Sequence, residues 1–151
     1  MKERSVVSLY YNERKILMSS RCHARSGGSM EVDPAYLVHI DSADLGDKIL
    51  LCAKAAAEID ILPPAPKGYK QPVLKLPGAG VRSFKDLLRK FSFINVIVVE
   101  DNYCFHSFRN GGDRVGYVPD GQPIRSLQIA HADGDPAMVA DLVRSIFLLI
   151  Q

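Results

Sequence analysis

No stretch of this 151-residue chain is apolar for long enough to cross a membrane. The most apolar segment, SIFLLIQ (145–151), falls far short of the roughly 20 residues a spanning helix needs. The opening MKERSVV carries charges and no apolar run of signal-peptide length. A cytoplasmic protein without membrane contact is the expectation. Cysteine is scarce too. Cys22, Cys52 and Cys104 are odd in number and show no CxxC spacing. That argues against a disulfide framework and a structural zinc site, and it predicts reduced thiols. Nor is there a surplus of one charge: 19 Lys and Arg face 17 Asp and Glu, for a net +2. A dedicated duplex-DNA binder carries a clearer basic excess. The chain has no internal repeat and no low-complexity segment. What is present is ordinary globular composition, 47% apolar and 24% charged. The length suits one domain, residues 1–151, with one core.

The pattern along the chain alternates groups of strands with helices. VVSLYY (6–11) and KILMSSR (15–21) are β-rich and flank Asn12-Glu13-Arg14, which predicts an opening hairpin. MEV and AYLVHI (35–40) read as one extended run interrupted at Asp33-Pro34, and the proline favours an edge. Ser42 is a candidate N-cap for a helix over 44–59, where Leu45, Ile49, Cys52, Ala53 and Ala56 recur at helical spacing. LPPAPKGYKQP ends it in a proline-rich connection, and VLKL (73–76) reads as a short strand or extended lead-in. Ser83 is a candidate cap for a short helix, FKDLLRKF (84–91). INVIVVE (94–100) is dominated by β-branched residues and predicts a central strand buried on both faces. YCFHSFR (103–109) and IRSLQIAH (124–131) predict further strands, with a short extended piece between them. Asp135 then caps a C-terminal helix with Pro136 at its first position. Grouped strands with intervening helices predict an α+β fold: one mostly antiparallel sheet with about three helices packed on a face.

The chemistry-bearing residues do not assemble into a known catalytic pattern. RCHARSGG (21–28) concentrates Arg21, Cys22, His23, Arg25, Gly27 and Gly28. Cys22 and His23 are adjacent and would point to opposite faces of a strand. His23, His39, His106 and His131 are scattered, and no pair has the i, i+4 spacing of a helical zinc site. No metal and no cofactor is expected. PGAGVRSFKD joins glycines to a helix start, but it lacks both the P-loop and the dinucleotide-binding spacings. There is no GxSxG elbow. Two histidines could in principle form an acid–base pair on the sheet, which keeps open a small nucleic-acid-processing or nucleic-acid-binding domain using His and Arg. The glycine-rich polar segment Arg109-Asn110-Gly111-Gly112-Asp113-Arg114, followed by Tyr117 and Asp120, is rich in residue types that anchor protein interfaces.

VVSLYYNERKILMSSRCHARSGGSMEV (6–32), GVRSFKDLLRKF (80–91) and NGGDRVGYVPDGQPI (110–124) together resemble the immunity proteins of bacterial contact-dependent growth inhibition systems, the CdiI family. The resemblance implies a small cytosolic non-enzyme. Its partner would be the toxic C-terminal domain of a large secreted effector, commonly a nuclease and in some cases a tRNase. It carries no fixed functional motif, so it makes RCHARSGG a signature turn of structural or binding use. The expected contact residues are Glu100, Asp101, Arg109, Asp113, Arg114, Tyr117 and Asp120, the carboxylates facing basic groups on the toxin. Asp133 and Asp135 are further acidic positions, the latter better explained as a cap. No direct contact with nucleic acid is expected. A homodimer formed through the SIFLLI face is the third reading.

Overall fold

The computed structural model describes residues 3–23, 25, 29–59, 62–63, 65–100, 102–112, 116–119, 125–128 and 135–149. Seven strands form one antiparallel sheet: β1 (Glu3–Asn12), β2 (Lys15–His23), β3 (Ser29–His39), β4 (Ser92–Val99), β5 (Asn102–Asn110), β6 (Tyr117–Pro119) and β7 (Arg125–Gln128). Their spatial order is β3-β2-β1-β4-β5-β6; β6 pairs with β5 at Phe108–Asn110, and β7 pairs with it at the other end, over Asn102–Phe105. Three helices accompany them: α1 (Leu45–Glu58), α2 (Phe84–Lys90) and α3 (Pro136–Leu149). The fold is α+β, as the grouping of strands predicted.

β4 lies between β1 and β5, so INVIVVE is central as expected. β3 is an edge strand, and it runs unbroken through Asp33-Pro34. The register there steps from Ser19–Ala35 to Ser20–Val32, which leaves Asp33 and Pro34 outside the pairing. This is how the sheet accommodates a residue without an N–H. The opening hairpin turns on two residues alone. Asn12 pairs with Lys15, while Glu13 and Arg14 take φ of 50° and 67°. Both belong to the left-handed region that a tight hairpin of this length demands.

Strand alternation divides the core in two. On β1, Val7, Leu9 and Tyr11 face one way; with Met18, Ile94, Val96, Val98 and Phe105 they pack under α1 and α3. Leu45, Ile49, Cys52, Ala53 and Ala56 are the buried stripe of α1, the spacing read from the sequence. α1 meets α3 closely at Gly46, where a Cβ would lie 1.8 Å from the Pro136 carbonyl oxygen. Asp135 caps α3 through bonds from the Ala137 and Met138 amides, 2.9 and 3.4 Å. On the opposite face Tyr10, Leu17 and Phe93 pack with Leu87 and Phe91 of the α2 region and with Val73, Ala79 and Val81.

Three local expectations change. Helices cover both faces of the sheet, not one, because Tyr10, Leu17 and Phe93 make the second face apolar at one end and require a cover there. Pro72–Lys75 is one turn of 3-10 helix and not a strand; it begins with proline at its first position, which presets a helical φ. The N-cap of α1 is Asp44, whose side chain makes no capping bond, while the Ser42 hydroxyl accepts from the Asp44 amide at 3.2 Å. Ser83 does cap α2, accepting from the Asp86 amide. Among the described residues no helix is long and apolar enough to cross a membrane.

Candidate functional site

The second sheet face changes character in one step of two residues. Leu17, Tyr10, Phe93 and Phe108 form one cross-strand row, apolar and aromatic. The next row is Ser19, Ser8, Asn95 and His106, entirely polar. Beyond it Arg21 pairs with Glu31. The cover of α2 and the 72–81 segment closes over the first row. A cavity of about 390 Å³ opens over the boundary between the rows. Its floor and walls include Tyr10, Arg21, Glu31, Phe93 and Asn95, and its rim includes Gln71, Phe84 and Tyr117.

Glu31 is the centre of the floor. It is 4% exposed, and a carboxylate so buried needs donors. It has them: the Tyr10 hydroxyl at 2.5 Å, the Ser19 hydroxyl at 2.7 Å and the Gln71 side-chain amide at 2.6 Å. The Arg21 guanidinium stands 3.9 Å away. Arg21 in turn donates to Ser8 at 2.8 Å and to Ser29 at 2.7 and 3.2 Å. The Tyr69 hydroxyl donates to the Glu31 backbone carbonyl. Burial, and then the Glu31 charge, hold the Tyr10 hydroxyl protonated well above its ordinary range. Burial does the same to Tyr117. Asn95 donates to Ser5 at 3.1 Å, but among the described residues its Oδ1, although buried, has no hydrogen-bond partner.

The two stretches singled out in the sequence meet at this cavity. Arg21 lies on its floor, and Ser29, just after the RCHARSGG turn, lines it as well. Gly116 and Tyr117, from the second stretch, line the other side. Tyr117 is half-buried. Its hydroxyl sits 2.9 and 2.7 Å from the Leu87 and Phe91 carbonyls, and its ring lies 5.1 Å from that of Phe93. It therefore anchors α2 to the sheet as well as shaping the cavity wall. Cys22 is buried and His23 exposed, on opposite faces as adjacent strand residues must be. The Arg25 amide pairs with the Leu62 carbonyl at 2.6 Å. Glu100 is exposed in the β4–β5 turn with φ of 57°. Arg109 is in β5. Asp101, Asp113, Arg114, Asp120, Gly27, Gly28, His131 and Asp133 lie outside the described residues. His23 and His39 sit at opposite ends of the β2–β3 ladder, and His106 is on β5.

One feature of the site escaped the reading of the sequence. Residues 65–91, the cover of the second face, hold seven of the 19 Lys and Arg but one of the 17 Asp and Glu. All seven cations (Lys67, Lys70, Lys75, Arg82, Lys85, Arg89 and Lys90) are exposed. The rest of the chain is left with 12 basic residues against 16 acidic. Net charge hid this asymmetry; a count by segment reveals it.

No protein-family model and no curated protein matches the chain. Among solved structures it is similar to a chain of the CdiA-CT/CdiI toxin and immunity complex from Yersinia pseudotuberculosis, with a TM-score of 0.59 and 14% identity over 95% of this chain and 98% of that one. It is equally similar in fold to the protein of unknown function NMB0488 from Neisseria meningitidis, with a TM-score of 0.59 and 9% identity over 93% and 90% of the two chains.

Proposed function

We propose that the protein is an immunity protein: it binds the toxic domain of a contact-dependent growth inhibition effector and neutralises it without performing a reaction. The observation that carries the reading is the likeness in fold, over nearly the whole of both chains, to a chain solved in a toxin and immunity complex. The sequence resemblance selects the immunity side of that pair. The cavity supports it from a separate direction, since all three stretches that carry the resemblance contribute to its lining, through Arg21 and Ser29, through Phe84, and through Gly116 and Tyr117. Glu31, the one carboxylate lining the cavity among the described residues, is held by three donors and is poorly placed to act as a base. On this reading the protein works in the cytoplasm, where it meets an incoming toxin, and the toxin is a nuclease.

The test is growth. The C-terminal domain of the polypeptide encoded directly upstream is expressed in a laboratory bacterium with and without this protein. The expected result is arrest by the domain alone, restored growth on co-expression, and a stoichiometric complex on purification. This protein expressed alone should be harmless. Arrest by this protein alone, or no protection and no complex, would overturn the proposal.

A further inference from the structure

A cavity with an unused acceptor under a cationic cover specifies the chemistry of what fills it. Asn95 is 8% exposed, lines the cavity, and has no partner for Oδ1 among the described residues. A buried acceptor of this kind is satisfied when a donor arrives. The walls are aromatic: Phe84, Phe93, Phe108 and Tyr117. Phe84 is 42% exposed and meets Tyr117 edge-on, at 6.0 Å and 88°. Part of its ring is therefore open to a docking side chain. The segment 65–91 that covers this face carries seven exposed cations, and two of them flank lining residues in the chain: Lys70 precedes Gln71 and Lys85 follows Phe84.

We infer that this cover is the docking surface for an acidic polypeptide that seats one tyrosine side chain in the cavity. The ring stacks against the aromatic walls, and the hydroxyl donates to Asn95 Oδ1. Carboxylates of the same polypeptide face the cationic cover. The inference deepens the immunity reading and rests on it for the identity of the partner: the toxin surface met here is acidic, where the sequence suggested a basic one. A carboxylate does not go into the cavity itself, because Arg21 on its floor is already paired with Glu31 and bonded to Ser8 and Ser29. The same pairing keeps Arg21 from a nucleic-acid phosphate. The cationic block is also confined to one 27-residue cover in a chain whose remainder is acidic, which is poor ground for tracking a nucleic-acid backbone.

The test uses the full chain and three immobilised polymers: a random glutamate–tyrosine copolymer, polyglutamate, and poly(U) RNA. Binding is measured at about 50 mM and about 300 mM salt. The copolymer should bind about tenfold more tightly than polyglutamate, the scale of one good aromatic contact with a hydrogen bond. Phe84→Ala, at a position 42% exposed, should erase that preference while leaving a cooperative melt, lowered only by the loss of the Tyr117 contact. Lys70→Glu with Lys85→Glu should weaken both acidic polymers, more at low salt than at high. Equal binding of the two acidic polymers overturns the inference, as does a preference that survives Phe84→Ala. Tighter binding of poly(U) than of the copolymer also overturns it and makes the cover a nucleic-acid site. These outcomes are independent of the growth test: protection without copolymer preference sinks the inference alone, and preference without protection sinks the immunity reading alone.

Discussion

Glu31→Ala is the perturbation with the largest consequence at the site. The side chain is 4% exposed and accepts from Tyr10, Ser19 and Gln71 within 2.5–2.7 Å. Its removal strands those three donors and leaves the Arg21 guanidinium, whose side chain is 19% exposed, without its carboxylate. Breaking a buried pair by deleting one partner costs about 3–5 kcal/mol. The Tyr10 and Ser19 hydroxyls can rotate toward the cavity and recover part of their loss, so the expected cost is about 4 kcal/mol. Replacing both members by apolar residues of similar size, Arg21→Met with Glu31→Leu, removes the charges together. It should cost less than Glu31→Ala alone, because no uncompensated ion remains. Urea unfolding followed by far-UV circular dichroism compares the parent with the two variants. A Glu31→Ala variant within about 1 kcal/mol of the parent would place the network in the class of exposed pairs and refute the argument. So would a double variant less stable than the single one.

Four further outcomes are expected. Gly46→Ala drives a methyl into the Pro136 carbonyl, 1.8 Å from its Cβ position, where backbone cannot yield as a side chain would; about 2–4 kcal/mol of destabilisation in a thermal melt is expected, and an unchanged melt would show that α1 and α3 do not meet there. Val98→Asp buries a charge in the helix-covered core and should abolish cooperative unfolding at a cost of several kcal/mol, on the order of the whole stability; a soluble variant with an unchanged midpoint would contradict the central place of β4. Stability should fall as pH rises above about 9, because buried Cys52 has its thiol pushed up to about 12 and Tyr10 is raised by burial and by Glu31, so the native state keeps protons that the unfolded chain releases. Cys52→Ala should flatten that alkaline slope, and an identical slope in the variant would assign it elsewhere. Ser83→Ala should cost about 1 kcal/mol by removing the cap of α2, read by urea titration; a loss below the error of the measurement would mean that packing of Leu87 and Leu88 and the Tyr117 bonds hold this helix without its cap.

Much of the scaffold was legible because alternation and capping act locally. Leu45, Ile49, Cys52, Ala53 and Ala56 had to share a face, and they do. Asp135-Pro136 could start only one kind of element. The α1 cap was misplaced because Ser42 and Asp44 are both suitable residue types, and the choice between them depends on how the chain leaves β3. The 3-10 turn at Pro72–Lys75 was missed because VLKL has the residue content of a strand, and nothing local says that a proline start and a neighbouring cover will curl it. The site was half legible. Its two stretches stand out as clusters of unusual residues, but the meeting of Arg21 with Tyr117 is a property of the sheet order, which brings β2 and β6 to one cavity across three intervening strands. Glu31 was invisible for the same reason. In sequence it is one glutamate in MEVDP; only the antiparallel register puts it beside Arg21.

The two sheet faces divide the work of the molecule. The face under α1 and α3 is mostly apolar, with Ser20 and Arg4 bonded to the Cys52 and Ala56 carbonyls of α1, and is closed by contacts such as the Tyr11–Phe147 stack at 4.9 Å. It supplies the cooperative core. The other face is apolar only under α2, and the next cross-strand row is serine, serine, asparagine and histidine. Apolar residues in that row would add burial and stability, at roughly 25 cal/mol per Å². The chain instead places hydrogen-bonding groups there, ties Ser19 to Glu31 and Ser8 to Arg21 in one network, and leaves Asn95 Oδ1 without a partner among the described residues. Such a network fixes side-chain positions more tightly than it stabilises the fold. A surface prepared in this way loses little further freedom when something docks on it. The cover above it is short loops, one seven-residue helix and exposed cations, whose side chains can change without disturbing the opposite core. The proposed docking surface thus lies on the side whose charge and exposed side chains can change without unfolding the opposite core.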